Sequence, residues 1–146
     1  MKLIIDKLQS LAFGWNERPL TEGDFYKLCK RFRISVTEMS LATGGFYYRV
    51  KGRDFIAISS RLVGSKRLFV MFHELGHYLL HVPDSGVTAN FHGVGRRTRK
   101  EREADMFALC ALIPKSFIEE GGDPAELGLD AELAAERLDL YIERGI

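Results

Sequence analysis

The 146-residue chain has little of several features that would assign a protein class at once. Its two cysteines, Cys29 and Cys110, lie far apart in the sequence, which excludes a disulfide framework and a thiolate zinc site. No stretch approaches the roughly 20 apolar residues that a membrane-spanning helix needs. The formal net charge of only +1 argues against a nucleic-acid binder. We therefore expect a protein that contacts neither a membrane nor nucleic acid directly.

The first residues, MKLIIDKLQSLAF, lack the uninterrupted apolar run and the small-residue cleavage site of a signal peptide. With the two unpaired thiols, this indicates a cytoplasmic protein. Hydrophobic residues make up 46% of the chain, so a protein of this size can bury one substantial core. No linker-like segment divides the sequence, and we expect residues 1–146 to form a single domain.

The hydrophobic pattern predicts two helices, then strands, then further helices. Thr21 can cap the second helix, with Asp24 at the capping-box position. Three strand candidates follow, over residues 34–39, 46–50 and 54–58. The turn Lys51-Gly52 predicts that the last two strands form a hairpin. This order predicts an α+β fold in which a small three-stranded sheet packs against a helical bundle.

The second half of the chain is predicted to be mostly helical. Ser65 can cap a long helix that ends near His81. Residues 84–97 are rich in glycine and polar side chains, which predicts a loop. Thr98 and Glu101 form a capping-box pattern at the start of the next helix. A final helix is predicted over residues 130–144, with an inward face formed by Leu133, Leu138 and Ile142.

The long helix carries the sequence His73-Glu74-Leu75-Gly76-His77, an H-E-x-x-H pattern. At about 100° per residue, positions four apart differ by about 40°, so both imidazoles project from one helix face. Glu74 lies beside that face and can act as a general base toward water. Zinc accepts two histidines and a carboxylate while keeping a fourth position open. The pattern therefore predicts that His73 and His77 bind zinc and that Glu74 is the catalytic residue.

A chance match is the alternative, because three fixed positions in five do occur by accident and helical histidines are often core residues. The five residues before His73 are all apolar, so this helix is buried on most sides. Burying two histidines and Glu74 without a metal would leave polar groups unsatisfied, at a cost of about 1–3 kcal/mol each. The setting of the motif therefore favours a metal site.

The third metal ligand must come from outside the motif. His81 continues the four-residue step, but three histidines along one rigid helix do not suit a tetrahedral zinc ion, so we expect His81 to support a ligand. Glu101 is the better candidate, with Asp105 one turn later to hydrogen-bond a ligand imidazole. The alternative for Glu101 is a simple capping role. Glu103 points about 200° away from Glu101, which predicts that it packs against the core or a partner.

Two segments together resemble the ImmA/IrrE family of metallo-endopeptidases: HELGHYLLH over residues 73–81 and EREADMFALCALIP over residues 101–114. The resemblance implies a gluzincin-like zinc fold with the H-E-x-x-H pattern on a central helix. It also implies that the protein cleaves a cytoplasmic regulatory protein, typically a helix-turn-helix repressor. The metzincin motif is not matched, because it places its third histidine six residues after the second, whereas His81 is four residues after His77.

Two classes of function stay open at this point. In the first, the protein is a zinc endopeptidase, and a substrate chain could pair with an edge strand near residues 46–50. In the second, it is a binding module that sequesters a regulator, and any metal is structural. The presence of Glu74 favours the enzyme, because a structural metal site has no need of a general base. A zinc hydrolase acting on something other than a protein is a third possibility.

Overall fold

The computed structural model describes residues 2–81, 88–91 and 98–146. These residues form six α-helices, one 3-10 helix and a four-stranded sheet, which confirms the predicted α+β class. The sheet has one strand more than the three that were predicted. Among them, no helix is both long and apolar enough to cross a membrane.

The helices α1 to α6 span Lys2–Leu11, Glu22–Arg31, Gly64–His81, Arg99–Leu112, Lys115–Glu119 and Ala131–Arg144. The strands β1 to β4 span Ile34–Met39, Gly45–Val50, Arg53–Ser59 and Thr88–Phe91. The 3-10 helix spans Pro124–Leu127, between α5 and α6.

The strands lie in the order β1-β3-β2-β4. Strands β2 and β3 form the predicted antiparallel hairpin, and β1 pairs in parallel with β3. Strand β4 pairs antiparallel with β2, from Phe46 to Arg49. The prediction of an edge strand near residues 46–50 is therefore wrong, because β2 has a partner on each side.

Strand β4 also corrects the loop predicted over residues 84–97, since residues 88–91 form a strand; the remainder of that segment lies outside the described residues. The sequence Thr88-Ala89-Asn90-Phe91 is too short to show a clear alternation of its own. It becomes a strand through pairing with β2, which is a tertiary effect.

Helix α3 packs against the sheet and forms the centre of the core. Its residues Met71, Phe72 and Leu75 are fully buried. Tyr47 of β2 is also fully buried and meets Tyr78 of α3 edge to face, with ring centroids 6.1 Å apart. The helix that carries the H-E-x-x-H pattern is therefore held between the sheet and the other helices.

Helices α3 and α4 approach closely at Gly76. A Cβ atom built at Gly76 would lie 3.2 Å from Cδ2 of Phe107 and 3.3 Å from Cα of Ala104. Ala104 and Ala108 of α4 are fully buried. Small residues on both helices thus allow the close approach that a carboxylate of α4 needs to reach the histidines of α3.

The predicted helix starts are partly right. Thr21 and Asp24 form the predicted capping box at the start of α2. The prediction for Ser65 is wrong: α3 begins at Gly64, and Oγ of Ser65 donates a hydrogen bond to the carbonyl oxygen of Leu127 at 3.0 Å. Instead of capping α3, the Ser65 hydroxyl connects α3 to the 3-10 helix.

The inward face predicted for α6 is right for Leu133, which packs against the core, but wrong for Ile142. Ile142 is 74% exposed, and the buried residues of α6 are Ala134 and Arg137. Arg137 is fully buried because Nε donates to the carbonyl oxygen of Ile113 at 2.6 Å and Nη2 donates to Oδ1 of Asn16 at 3.2 Å. A hydrophobic pattern cannot reveal an arginine that is buried by hydrogen bonds to backbone and amide oxygens.

Candidate metal centre

Helix α3 buries all three fixed residues of the H-E-x-x-H pattern. His73 is 2% exposed, and Glu74 and His77 are 0% exposed. The imidazole rings of His73 and His77 are neighbours, with centroids 4.8 Å apart. The shared helix face predicted from the four-residue spacing is therefore present.

Glu101 of α4 faces both of these histidines. Its Oε2 lies 3.1 Å from Nε2 of His73, and its Oε1 lies 2.8 Å from Nε2 of His77. The backbone N–H of Glu101 donates to Oγ1 of Thr98 at 3.2 Å, so Thr98 caps the helix as predicted. The carboxylate of Glu101 is directed at the histidines. The structure thus brings together the three predicted metal ligands, whose ligand atoms all lie within 4.8 Å of one another.

Asp105 lies one turn after Glu101 and contacts the other nitrogen of His73. Its Oδ1 is 2.6 Å from Nδ1 of His73. Burial lowers the pKa of His73, but the hydrogen bonds with Asp105 and Glu101 outweigh burial and raise the pKa to about 9. The Nδ1–H group donates to the Asp105 carboxylate, which leaves Nε2 of His73 directed at Glu101.

His81 contacts His77 from the opposite side to Glu101. Nδ1 of His81 lies 3.1 Å from Nδ1 of His77, and Nε2 of His81 lies 2.9 Å from Oε1 of Glu103. The structure therefore places His81 beside a predicted ligand, as expected. It corrects the prediction that Glu103 packs against the core or a partner, because Glu103 hydrogen-bonds to His81.

Helix spacing alone did not predict the contact between Glu103 and His81, because it places Glu103 only relative to Glu101 and the expected metal ion. His81 lies one turn beyond His77 and meets a different side of α4 from the side that carries Glu101. The signal in the sequence was the third histidine of the HELGHYLLH segment, which needs a partner of its own.

Glu74 lies in an environment that increases its affinity for a proton. Burial raises the pKa of Glu74 well above its usual range, and the negative charges of Glu101 and Asp105 raise it further. The charge of His73 and the polar backbone of Tyr47 oppose this shift. A carboxylate with a raised pKa suits general acid–base chemistry near neutral pH.

The donor atoms fit a divalent metal ion. The side-chain oxygens of Glu101 are acceptors, and Nε2 of His73 and His77 each carries a lone pair when the ring hydrogen is on Nδ1. Such atoms repel one another in a buried site unless a proton or a metal cation lies among them. Two histidines and one carboxylate are also a ligand set used by zinc peptidases. His73, His77 and Glu101 could therefore hold a metal ion.

Comparison with known proteins agrees with this geometry. Residues 29–137 match the model of a peptidase family described as the IrrE N-terminal-like domain, and this range includes every residue of the centre. Over 96 residues the chain is 35% identical to "Uncharacterized immunity region protein 2" of Bacillus phage phi105. That alignment covers 61% of this chain and 58% of the phage protein. In agreement with the two sequence motifs, the chain belongs to the IrrE N-terminal-like peptidase family.

Proposed function

We propose that the protein is a zinc-dependent endopeptidase that hydrolyses a peptide bond in a cytoplasmic regulatory protein. The observation that carries this proposal is the convergence of two imidazole nitrogens and the Glu101 carboxylate beside the buried Glu74. Membership of a peptidase family supports the same reaction class. Residues 1–146 would act as one domain, because helices before and after α3 contribute to the same hydrophobic core.

In this proposal, His73, His77 and Glu101 hold the zinc ion. Asp105 orients His73, and His81 supports His77. When bound, zinc supplies a Lewis acid that polarises the scissile carbonyl and lowers the pKa of a water molecule to about 7. The Glu101 side chain is 21% exposed, so the centre can be reached from solvent on that side.

Glu74 moves the proton. Its carboxylate takes a proton from the attacking water and delivers it to the leaving amine nitrogen as the peptide bond breaks. Burial favours this role because it raises the proton affinity of the carboxylate.

A transcriptional repressor of the helix-turn-helix class is the substrate that we propose. The related phage protein is named for an immunity region, which is consistent with a role at a repressor. Recognition of the substrate would then be a protein–protein contact, without a direct contact to nucleic acid or membrane.

Co-expression of the full chain with a candidate helix-turn-helix repressor tests the proposal. Glu74→Gln keeps the side-chain shape but removes the base, so the cleavage rate should fall by about 100- to 10,000-fold. The zinc content of this variant should stay the same. Mass spectrometry of the repressor fragments provides the measurement.

The matched control is Glu119→Gln, which changes an exposed glutamate at the end of α5 and should cleave normally. Cleavage by Glu74→Gln at the wild-type rate would contradict the role of Glu74 as base. A repressor that stays bound and intact beside the wild-type protein would favour a binding module instead.

A further inference from the structure

We propose that His81 and Glu103 form a supporting arm that holds His77 in the tautomer required for metal binding. This His81–Glu103 arm links α4 to His77 through two hydrogen bonds, of 2.9 Å and 3.1 Å. The inference rests on the metal site proposed above and adds a positioning role for Glu103, which does not face the metal ligands directly.

The two contacts of the arm determine the direction of its hydrogen bonds. The contact between the Nδ1 atoms of His77 and His81 is a hydrogen bond only if one of the two nitrogens carries a hydrogen. If a neutral His81 supplied that hydrogen, its bare Nε2 would face a carboxylate oxygen of Glu103. That arrangement sets two acceptors against each other and is unfavourable.

The opposite direction satisfies both contacts. His77 donates from Nδ1–H to Nδ1 of His81, and His81 donates from Nε2–H to Oε1 of Glu103. The one ring hydrogen of a neutral His77 is then on Nδ1. Its Nε2 keeps a lone pair on the side of Glu101, which lies 2.8 Å away.

The arm gives His77 the support that Asp105 gives His73. Asp105 accepts directly from Nδ1–H of His73, whereas Glu103 acts on His77 through an intervening imidazole. Both devices fix a ring orientation and leave Nε2 available as a ligand atom. Helix α4 would therefore supply a metal ligand and the partners that orient both histidines.

The surroundings of the arm favour a hydrogen-bonding role for Glu103 over an ordinary surface ion pair. The side chains of His81 and Glu103 are 7% and 14% exposed, so water competes little for their hydrogen bond. Arg99 lies 3.6 Å from Oε2 of Glu103, but its side chain is 81% exposed. An exposed pair of this kind contributes little, so we expect His81 to be the main partner of Glu103.

Zinc affinity, measured by competition with a chelator in the full chain, tests the arm. Glu103→Ala should bind zinc about 10- to 100-fold more weakly, because His81 loses its acceptor. Glu103→Gln should recover most of the affinity, since its amide oxygen can still accept from Nε2–H. Arg99→Ala is the control and should bind like the wild-type protein, because it removes only the exposed ion pair.

A double-mutant cycle distinguishes the loss of zinc affinity that is due to the arm from losses with other causes. His81→Phe combined with Glu103→Ala should weaken zinc binding no further than His81→Phe alone, because both changes remove one connected device. Thermal unfolding of each metal-free variant checks that the fold is retained. Should Glu103→Ala not fold, His81→Phe against His81→Gln provides the same comparison, with glutamine expected to recover affinity.

Wild-type affinity in Glu103→Ala, or additive losses in the double variant, would overturn the arm while leaving the proposed peptidase function intact. Failure of Glu103→Gln to recover affinity would also overturn it. A wild-type protein that binds no zinc would overturn both proposals.

Discussion

At the scale of single residues, three carboxylates of α4 have three different positions around two histidines of α3. Glu101 faces Nε2 of both rings, and Asp105 contacts Nδ1 of His73. Glu103 reaches His77 only through His81. These different positions follow from the helical repeat, which turns Glu103 about 200° from Glu101 and brings Asp105 back to nearly the same side.

Asp105→Ala should weaken zinc binding by about 10- to 100-fold without unfolding the protein, because Nδ1 of His73 loses the acceptor that fixes its orientation. Asp105→Asn should lose less, since its amide oxygen can accept the same hydrogen bond. Zinc titration of the purified variants provides the measurement. Asp6→Ala, a change on the exposed face of α1, is the control. Equal affinities for Asp105→Ala and Asp6→Ala would contradict the orienting role.

The residues of the centre differ in how far the sequence alone could predict them. The shared face of His73 and His77 follows from local helix geometry, so their spacing was sufficient. Glu101 needed a second motif together with the small residues that allow close helix packing. Glu103 could not be predicted in the same way, because its partner is set by how α3 and α4 meet in three dimensions.

At the scale of whole elements, the centre depends on the distance between α3 and α4. Gly76 lies between His73 and His77 in the sequence and faces the backbone of Ala104. An added Cβ atom at Gly76 would therefore require Phe107 or the backbone of Ala104 to move by a few tenths of an ångström, and both residues lie on α4, the helix that carries Glu101. The glycine in the H-E-L-G-H segment thus has a packing role beside the cluster of His73, His77 and Glu101.

Gly76→Ala tests this packing role. The added methyl group should overpack the contact between α3 and α4, which should lower the free energy of unfolding by about 1–3 kcal/mol. The better helix propensity of alanine should offset about 1 kcal/mol of this loss. The shift of α4 should also weaken zinc binding. Urea unfolding of the metal-free protein and zinc titration measure the two effects.

Gly121→Ala is not a suitable control. The φ angle of Gly121 is +88°, which would strain any other residue even though there is room for its side chain. Gly23→Ala in α2 is suitable, since its added Cβ would meet only Oγ1 of Thr21, at 3.5 Å. A Gly76→Ala variant with the stability and zinc affinity of Gly23→Ala would contradict the account.

The sequence failed to predict secondary structure mainly where pairing between distant strands determines it. The hairpin of β2 and β3 has its own turn signal at Lys51-Gly52 and was found. Strand β4 has four residues and no signal of its own, so both β4 and the interior position of β2 were missed. The parallel pairing of β1 with β3 is likewise a non-local feature.

At the scale of the whole molecule, the C-terminal half of α4 and the residue after it are anchored by parts of the chain distant in sequence. Nε1 of Trp15 donates to the carbonyl oxygen of Phe107 at 2.9 Å. Arg137 of α6 donates to the carbonyl oxygen of Ile113 at 2.6 Å and to Oδ1 of Asn16 at 3.2 Å. With its C-terminal end held in this way, α4 presents its first turn to the histidines in a fixed direction.

These anchors also show why the global arrangement could not be predicted from hydrophobic patterning. Arg137 is fully buried, whereas Ile142 on the same helix is 74% exposed. A charged side chain is buried at this point because the carbonyl oxygens of Ile113 and Ile146 and Oδ1 of Asn16 all accept hydrogen bonds from it. Only the complete fold brings these three segments together.

The zinc content of the purified full chain, measured by elemental analysis, tests the central claim most directly. We predict about one zinc ion per chain in the wild-type protein. His73→Ala, His77→Ala and Glu101→Ala should each lose most of that zinc, and Glu119→Ala should retain it as the control. Equal zinc content in all of these proteins, or none in the wild type, would contradict the assignment of a metal centre to His73, His77 and Glu101.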